Sequence, residues 1–595
     1  MQIQHINFSL KHPRNDATIA IATGMYDAWN FSAPVKSPRP FQEFQRRAVI
    51  DQLTNVLCHE NTLLLAGTGT GKTFMLLITC DILFMHGYLE HHTTYHKRMI
   101  IPFPMVYLVN ASSVDQIKDV VKLYTHLHKR CFVMNYEQLR VKQSLGSIMM
   151  AWKKCETLND VNPLLWPLVD DDKDALYVPE WNTLLAPIIM IEDEVQKLKN
   201  DGALQTKAMQ SFSITCTNNI IFQASATPFV RPSESKSVVL SIKPQYNLDS
   251  CPDDVVDMTS GTTTGVVTAS NIDDWLNNKI CTRSKTTEYS PAAMERLTQH
   301  LDARCNVVRV HDVKFSHKSM NKHVLISFQS EAERKEYFDA FIEYCLDLAK
   351  VDKSAPGGMA AILVARGKFK QKAEWLRRYH IAKIVHDKVV EGRNVLAAFC
   401  YKNTLNAVYE ILIKDYNYTP DKISQIKGGQ SRKTRWDNIN AFQDETSNIM
   451  LAMLQAGGTG LSLHHYAERN KRQRFVVMPP VWSIIEMLQM LGRAHRINSA
   501  STTHQWILWY KGTIEEEIYQ RLSDKSMSMR ELMNRNEQWS QWFTDQKYVK
   551  SVVKVDDINE VIGDDDDTDD EDDAESKHDT WNTDSKLVAE SVEQE

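Results

Sequence analysis

The chain of 595 residues is too long for one hydrophobic core, and a usual domain size of about 150 residues leads to three or four units. Its composition, 43% hydrophobic and 24% charged, is that of a soluble globular protein, with no run of about 18 apolar residues to cross a membrane and no apolar secretory core in the opening MQIQHINFSLKHPRND. The net charge of −6 hides an uneven division: from Ser551 onward 18 acidic residues face three lysines, a net of −15, which leaves +9 on residues 1–550.

In chain order, residues 1–38 form an N-terminal extension. From about Arg39 to Leu240, short apolar runs alternate with amphipathic helical patterns, as in parallel α/β sheets. NTLLLA, PMVYLVN, KRCFVMNY, APIIMIE and NIIFQASA end in small or polar residues, which predicts buried strands whose carboxyl ends carry a site. Residues 241–369 are mixed, with Thr-rich MTSGTTTGVVTAS and helical SEAERKEYFDAFIEYCLDLAK, and read as a linker or insertion whose job the sequence does not assign. From 370 to 550 the alternation returns in RNVLAAFC, NIMLAML, RFVVMPP and HQWILWY, a second α/β lobe. The tail, 551–595, is built around GDDDDTDDEDDAES; it repels itself and buries no apolar surface, which predicts disorder. Such a tail serves as a solvating appendage, mimics nucleic acid or binds basic proteins.

The ten cysteines, Cys58 to Cys400, show no CxxC pair and no zinc-like spacing, which points to reduced thiols in the cytosol or nucleus. His86, His91, His92 and His96 lie in a polar stretch and read as a solvated loop rather than a metal site.

The stretch LLLAGTGTGKTFMLL, Leu63 to Leu77, carries the chemistry. TLLLA supplies a strand, the glycines let the backbone wrap an anion, and helical periodicity follows at once. In such a loop the amides of Gly67, Thr68, Gly69, Thr70 and Gly71 cradle phosphate, Lys72 neutralises the terminal oxygens, and the Thr73 hydroxyl ligates Mg²⁺. Ala66 stands where the strict pattern wants glycine. About 120 residues on, APIIMIEDEVQKL ends a buried strand in Glu192, Asp193 and Glu194. Asp193 is the expected metal ligand and Glu194 the expected base for the attacking water.

These residues resemble the superfamily-two helicases. DEVQ (193–196) looks like their DExx box, with Gln196 in its last place, and ASATPF (224–229) is similar to their SAT motif. FQEFQRRAV resembles the segment whose glutamine, here Gln42 or Gln45, contacts adenine; QAGGTGLSL (455–463) and QMLGRAHRI (489–497) look like motifs V and VI, which puts Gly460 and Gln489 at the nucleotide. The resemblance implies two tandem RecA-like lobes, with ATP and Mg²⁺ held where they meet. An arginine supplied to a transferring phosphoryl group is worth about 10³ to 10⁵ in rate, and Arg493 and Arg496 fit that duty, with plain ion pairing as the alternative. Within the superfamily the chain looks most like the SWI/SNF-type translocases, from FVMNYEQLR (132–140), IKGGQSRKTRWDNINAFQ (426–443) and KGTIEEEIYQRLSDKS (511–526). It departs from them at Gln196 and at Ser225-Ala226-Thr227-Pro228, a combination that is also similar to nucleic-acid-dependent NTPases of large DNA viruses.

VNASS (109–113) looks like motif Ia, so Asn110 and Ser112, with Asn135, Thr459 and Lys427, are the expected contacts to nucleic-acid phosphate. Trp506 and Trp509 read as core rather than as a stacking platform. The expectation is an intracellular ATP-driven motor on nucleic acid, duplex DNA favoured over RNA, acting in the nucleus or at a site of viral replication. A strand-separating DNA or RNA helicase, a phosphate-loop NTPase indifferent to nucleic acid and a catalytically dead scaffold are the rivals, the last opposed by the retention of every acid, lysine and arginine.

Overall fold

The computed structural model describes residues 8, 10–32, 42–88, 104–139, 150–155, 168–170, 175–181, 186–200, 203–216, 219–226, 228–242, 272–303, 306–310, 313, 315–351, 358–454, 462–466 and 468–532. The acidic tail and residues 455–461 lie outside these. Two compact units result: one holds the described residues up to Phe315 together with those from Ser523, the other those from Ser316 to Leu522.

The first unit opens with helices α1 (Asp16–Ser32) and α2 (Glu43–Leu57). It continues through β1 (Thr62–Leu65), α3 (Lys72–Met85), β2 (Met105–Val109), α4 (Val114–Val121) and β3 (Cys131–Asn135). After a small antiparallel sheet come β7 (Ile189–Asp193), α5 (Leu204–Thr215), β8 (Ile220–Ser225), α6 (Pro291–Ala303) and β9 (Val307–Arg309). The small sheet consists of β4 (Met150–Cys155), β5 (Leu168–Asp170) and β6 (Ala175–Trp181), in the order β4-β6-β5. The main sheet runs β3-β2-β7-β8-β1-β9, every pair parallel. A parallel sheet is covered on both faces, so its central strands must be apolar on both sides rather than alternate. Accordingly every residue of β1, β2, β7 and β8 is buried.

The second unit contains β10 (Ser319–Ile326), α7 (Glu331–Lys350), α8 (Gly358–Leu376), α9 (Arg378–Val390), β11 (Asn394–Phe399) and α10 (Lys402–Lys414). It goes on through β12 (Ile423–Ile426), α11 (Arg432–Gln443), β13 (Ile449–Met453), β14 (Arg474–Met478), α12 (Ile484–Ala494), β15 (Thr503–Tyr510) and the start of α13 (Glu515–Leu532). Its sheet is also wholly parallel, ordered β10-β15-β14-β11-β13-β12. Both six-stranded sheets agree with the α/β class expected for tandem RecA-like lobes.

Nine strands fall on the nine apolar runs named above. The described part of 241–369 is divided between the units instead of standing apart: β9 extends the first sheet beside β1, and β10 extends the second beside β15. The N-terminal extension is likewise built in. Thr18, Ala22, Met25, Tyr26 and Trp29 form the buried stripe of α1, and the Trp29 indole donates to Asp81 of α3 at 2.8 Å. Trp509 is core, its indole donating to His323 at 3.1 Å, whereas Trp506 is half-buried with Lys388 and Lys322 over its ring. Cys58, Cys80, Cys131, Cys216, Cys281, Cys345 and Cys400 are in no disulfide, no group of described residues could hold a metal as a His/Cys/Asp/Glu cluster, and no described helix is long and apolar enough to cross a membrane. Of the four histidines, His86 is described and its ring lies 3.3 Å from the Met25 carbonyl; the other three fall outside the described residues.

Candidate ATP site

Because all strands of the first sheet point the same way, their carboxyl ends share one edge. The register there is Leu65 beside Ser225, Asp193 beside Ala224, Leu108 beside Glu192 and Val109 beside Asn135. The phosphate loop, Asp193, Ser225, Asn110 and Asn135 are therefore neighbours by topology, at the edge where open α/β sheets bind ligands.

The loop leaves β1 at Ala66 and enters α3 at Lys72. Gly69 and Gly71 have φ of 74° and 90°, values that disfavour any side chain. A Cβ on Gly71 would lie 2.8 Å from the Gln45 amide nitrogen. Ala66 is absent from the positive-φ positions, so its methyl group is no obstacle where the strict pattern has glycine. Thr70 donates to the Gly67 carbonyl at 2.8 Å, and Gln45 donates to the Thr70 carbonyl at the same distance. The Gln45 side chain, buried, thus braces the loop from beneath; Gln42, at the start of α2, is the more exposed of the two glutamines expected at adenine. Lys72 is buried, its ammonium donating to the carbonyls of Ala66 and Gly67 at 3.3 and 3.4 Å.

Across the loop, Thr73 donates to Asp193 at 3.1 Å and the Tyr107 hydroxyl donates to the same carboxylate oxygen at 2.7 Å. Tyr136 donates to the Asp193 backbone carbonyl at 2.9 Å. Burial pushes the Asp193 carboxyl up to about 6, reinforced by the charge of Glu194 and opposed by Lys72, Tyr107 and Thr73. A hydroxyl and a carboxylate side by side are the hard oxygen donors that Mg²⁺ takes, so Thr73 and Asp193 fit that ion. Glu194 occupies the left-handed region (φ 62°, ψ 55°), a strained backbone for a residue with a side chain and one that clusters at functional sites. Its carboxylate accepts from Gln196 at 2.8 Å, and Gln196 accepts from Ser225 at 2.7 Å. The acidic strand end and the SAT segment are joined by that chain of hydrogen bonds.

Neither Tyr107 nor Tyr136 is among the site residues that the sequence marks. The signal for Tyr107 was a single tyrosine inside the aliphatic strand MVYLV, a hydroxyl that must find a partner once buried.

In the second unit, Ser483 caps α12 by accepting from the Glu486 amide at 3.3 Å. Gln489 and Arg493 lie one turn apart on that helix, both half-buried, and the Arg493 carbonyl accepts from the Leu463 amide at 3.0 Å. Arg496 follows the helix, and desolvation lowers its guanidinium to about 10, so it stays charged at neutral pH. Its charge, after burial, helps to pull His464 down to about 3. Lys427 follows β12 and donates to Gln425 at 2.9 Å, while its amide donates to Gln430 at 2.9 Å. Asn110 is buried at the end of β2, where it opens the turn Ala111–Ser113 containing Ser112. Asn135 exchanges hydrogen bonds with Gln138 at 2.9 and 3.0 Å. Thr459 and Gly460 lie outside the described residues.

Residues 371–498 match the family described as helicase conserved C-terminal domain. A protein of Acanthamoeba polyphaga mimivirus named as an ATP-dependent RNA helicase is 29% identical over 138 residues, 23% of this chain and 24% of that protein. The Arabidopsis thaliana protein CHROMATIN REMODELING 24 is 27% identical over 143 residues, 24% of this chain and 12% of that protein. The DNA repair and recombination protein RAD54-like of Drosophila ananassae is 29% identical over 147 residues, covering 22% and 18%. The match thus spans less than a quarter of the length of each of these relatives. A solved SWI2/SNF2 ATPase core of Sulfolobus solfataricus in complex with double-stranded DNA aligns over 90% of this chain and 97% of that one at 13% identity, with a TM-score of 0.27, too low to bear on the fold. With a helicase C-terminal domain in its second unit and such relatives, the chain is similar to the superfamily-two helicases, the SWI/SNF-type group among them.

Proposed function

We propose that the chain hydrolyses ATP and uses the cycle to move along nucleic acid, duplex DNA in preference to RNA. The observation that carries this is the convergence of Lys72, the Thr73–Asp193 pair at 3.1 Å and the strained Glu194 on one edge of a parallel sheet. In this reading the loop amides and Lys72 bind the β- and γ-phosphates. A magnesium ion, held by Thr73 and Asp193, would neutralise charge on those oxygens. Glu194, held by Gln196, orients the attacking water and takes its proton at the carboxylate. Arg493 and Arg496, from the segment that resembles motif VI, neutralise the same phosphoryl group, and Gln45 or Gln42, Gly460 and Gln489 complete the nucleotide contacts. Asn110, Ser112, Asn135, Lys427 and Thr459 hold the nucleic-acid backbone, and the acidic tail binds basic proteins. Two relatives named for chromatin remodelling and DNA repair favour DNA as the track.

The deciding experiment is the steady-state ATPase rate with duplex DNA, single-stranded DNA and RNA added in turn. The expected result is stimulation greatest with duplex DNA. Equal rates with and without every nucleic acid would overturn the motor and leave a phosphate-loop NTPase of another class.

A further inference from the structure

Arg474 opens β14 and is completely buried. Its guanidinium is in no ion pair among the described residues; the acid whose charge reaches it is Glu445, and that carboxylate accepts the amides of Lys471 and Arg472 at 2.8 and 2.6 Å. Burial lowers the guanidinium to about 10, which leaves it charged at neutral pH. Taking an ion out of water without a close counter-ion is costly, and an apolar side chain of similar volume is often at least as stabilising in such a place. What the guanidinium supplies, and an apolar chain does not, is a set of donors in a fixed fork.

Those donors are aimed at one segment. Nε donates to the Leu463 carbonyl at 3.0 Å and Nη2 to the Gln443 side-chain oxygen at 2.7 Å, with the guanidinium 4.5 Å from the Phe442 ring centre. Gln443 in turn donates to the Ser462 carbonyl at 2.7 Å and accepts from Asn470 at 2.8 Å. Leu463 therefore accepts from Arg474 through its carbonyl and donates through its amide to the Arg493 carbonyl at 3.0 Å. Topology brings the three together: α12 joins the parallel neighbours β14 and β15, so it runs back along the sheet and ends where β14 begins. A helix leaves its last carbonyls without partners inside the helix. Here Leu491 and Ala494 are satisfied from β15, by Gln505 at 2.8 Å and Thr503 at 3.2 Å, and Arg493 is satisfied by Leu463.

We propose that Arg474 is a positioning residue: through Leu463 it fixes the last turn of α12, and with it the places from which Arg493 and Arg496 act. The part played in hydrolysis rests on the reading of those two arginines given above; the relay of hydrogen bonds does not. Because Gln505 and Thr503 hold the same turn from the sheet, the helix survives the loss of Arg474 while its end loosens.

Arg474→Met tests this, since it keeps the stem and removes the donors. Val477→Ala, on the opposite face of β14 and equally buried, weakens the core without touching the relay. The full-length variants and the wild type are compared by hydrogen exchange, thermal midpoint, equilibrium ATP binding and single-turnover hydrolysis. For Arg474→Met the expected result is exchange faster by about tenfold or more across 462–466 and 491–499, unchanged exchange in β11 and β13, hydrolysis slowed by about tenfold or more, ATP binding within a few-fold and a midpoint near wild type. In Val477→Ala the midpoint falls and hydrolysis stays near wild type. Unchanged exchange at 491–499 in Arg474→Met would overturn the relay, and wild-type hydrolysis alongside faster exchange there would overturn the positioning role. Protection lost across the whole second sheet, with Val477→Ala slowing hydrolysis as much, would overturn it too, by making Arg474 an ordinary core residue. A wild type that hydrolyses no ATP would instead sink the functional reading, and exchange at 491–499 would still decide the relay.

Discussion

Lys72 donates to the carbonyls of its own loop, so its charge supports the cradle as well as facing any phosphate in it. Lys72→Ala is expected to abolish hydrolysis, a loss of at least about 10²-fold as for removal of a charge-stabilising donor, while circular dichroism and thermal midpoint stay near wild type. Wild-type turnover in the variant would break the site assignment. A second residue-scale expectation concerns Glu374, whose carboxyl is pushed by burial from the ordinary 4.5 up to about 7 against the pull of two amide donors. A carboxyl with a raised folded pKa stabilises while protonated: the contribution is complete below about pH 4.5 and is lost as pH rises through about 7, a change of order 3 kcal/mol. Thermal midpoints of wild type and Glu374→Gln from about pH 5 to about pH 8 should therefore converge or cross as pH rises, because only the wild type loses this term. Parallel curves would show that Glu374 does not titrate there.

At the scale of elements, the central strands were legible because a parallel sheet forces continuous apolar runs, and the glycine-rich turn from β1 to α3 because glycine, lysine and threonine occur at fixed offsets before a helix. Three of the four edge strands, β9, β10 and β12, escaped. β10 buries only His323 and Ile326 of its eight residues, β9 has three residues and β12 reads ISQI, so none gives a continuous apolar run, and the antiparallel β4, β5 and β6 carry no such signature either. The α1 stripe from Thr18 to Trp29 was present at helical spacing and went unread because nothing local marked its partner, Asp81, 52 residues away. Trp29→Ala is expected to cost about 3 to 5 kcal/mol, since it opens a cavity and leaves the buried Asp81 short of a donor. Chemical denaturation reads this directly, and a loss under about 1 kcal/mol would show that α1 is not part of the first unit's core.

For the whole molecule, the proposed hydrolysis needs Arg493 and Arg496 as well as Lys72, Asp193 and Glu194, because charge on the transferring phosphoryl group must be neutralised. The most direct measurement is single-turnover ATP hydrolysis alongside equilibrium ATP binding for Arg493→Ala and Arg496→Ala. Expected is a fall in the hydrolysis rate of about 10³-fold or more in at least one variant, with binding retained within a few-fold. Wild-type hydrolysis in both variants would contradict a catalytic role for these arginines.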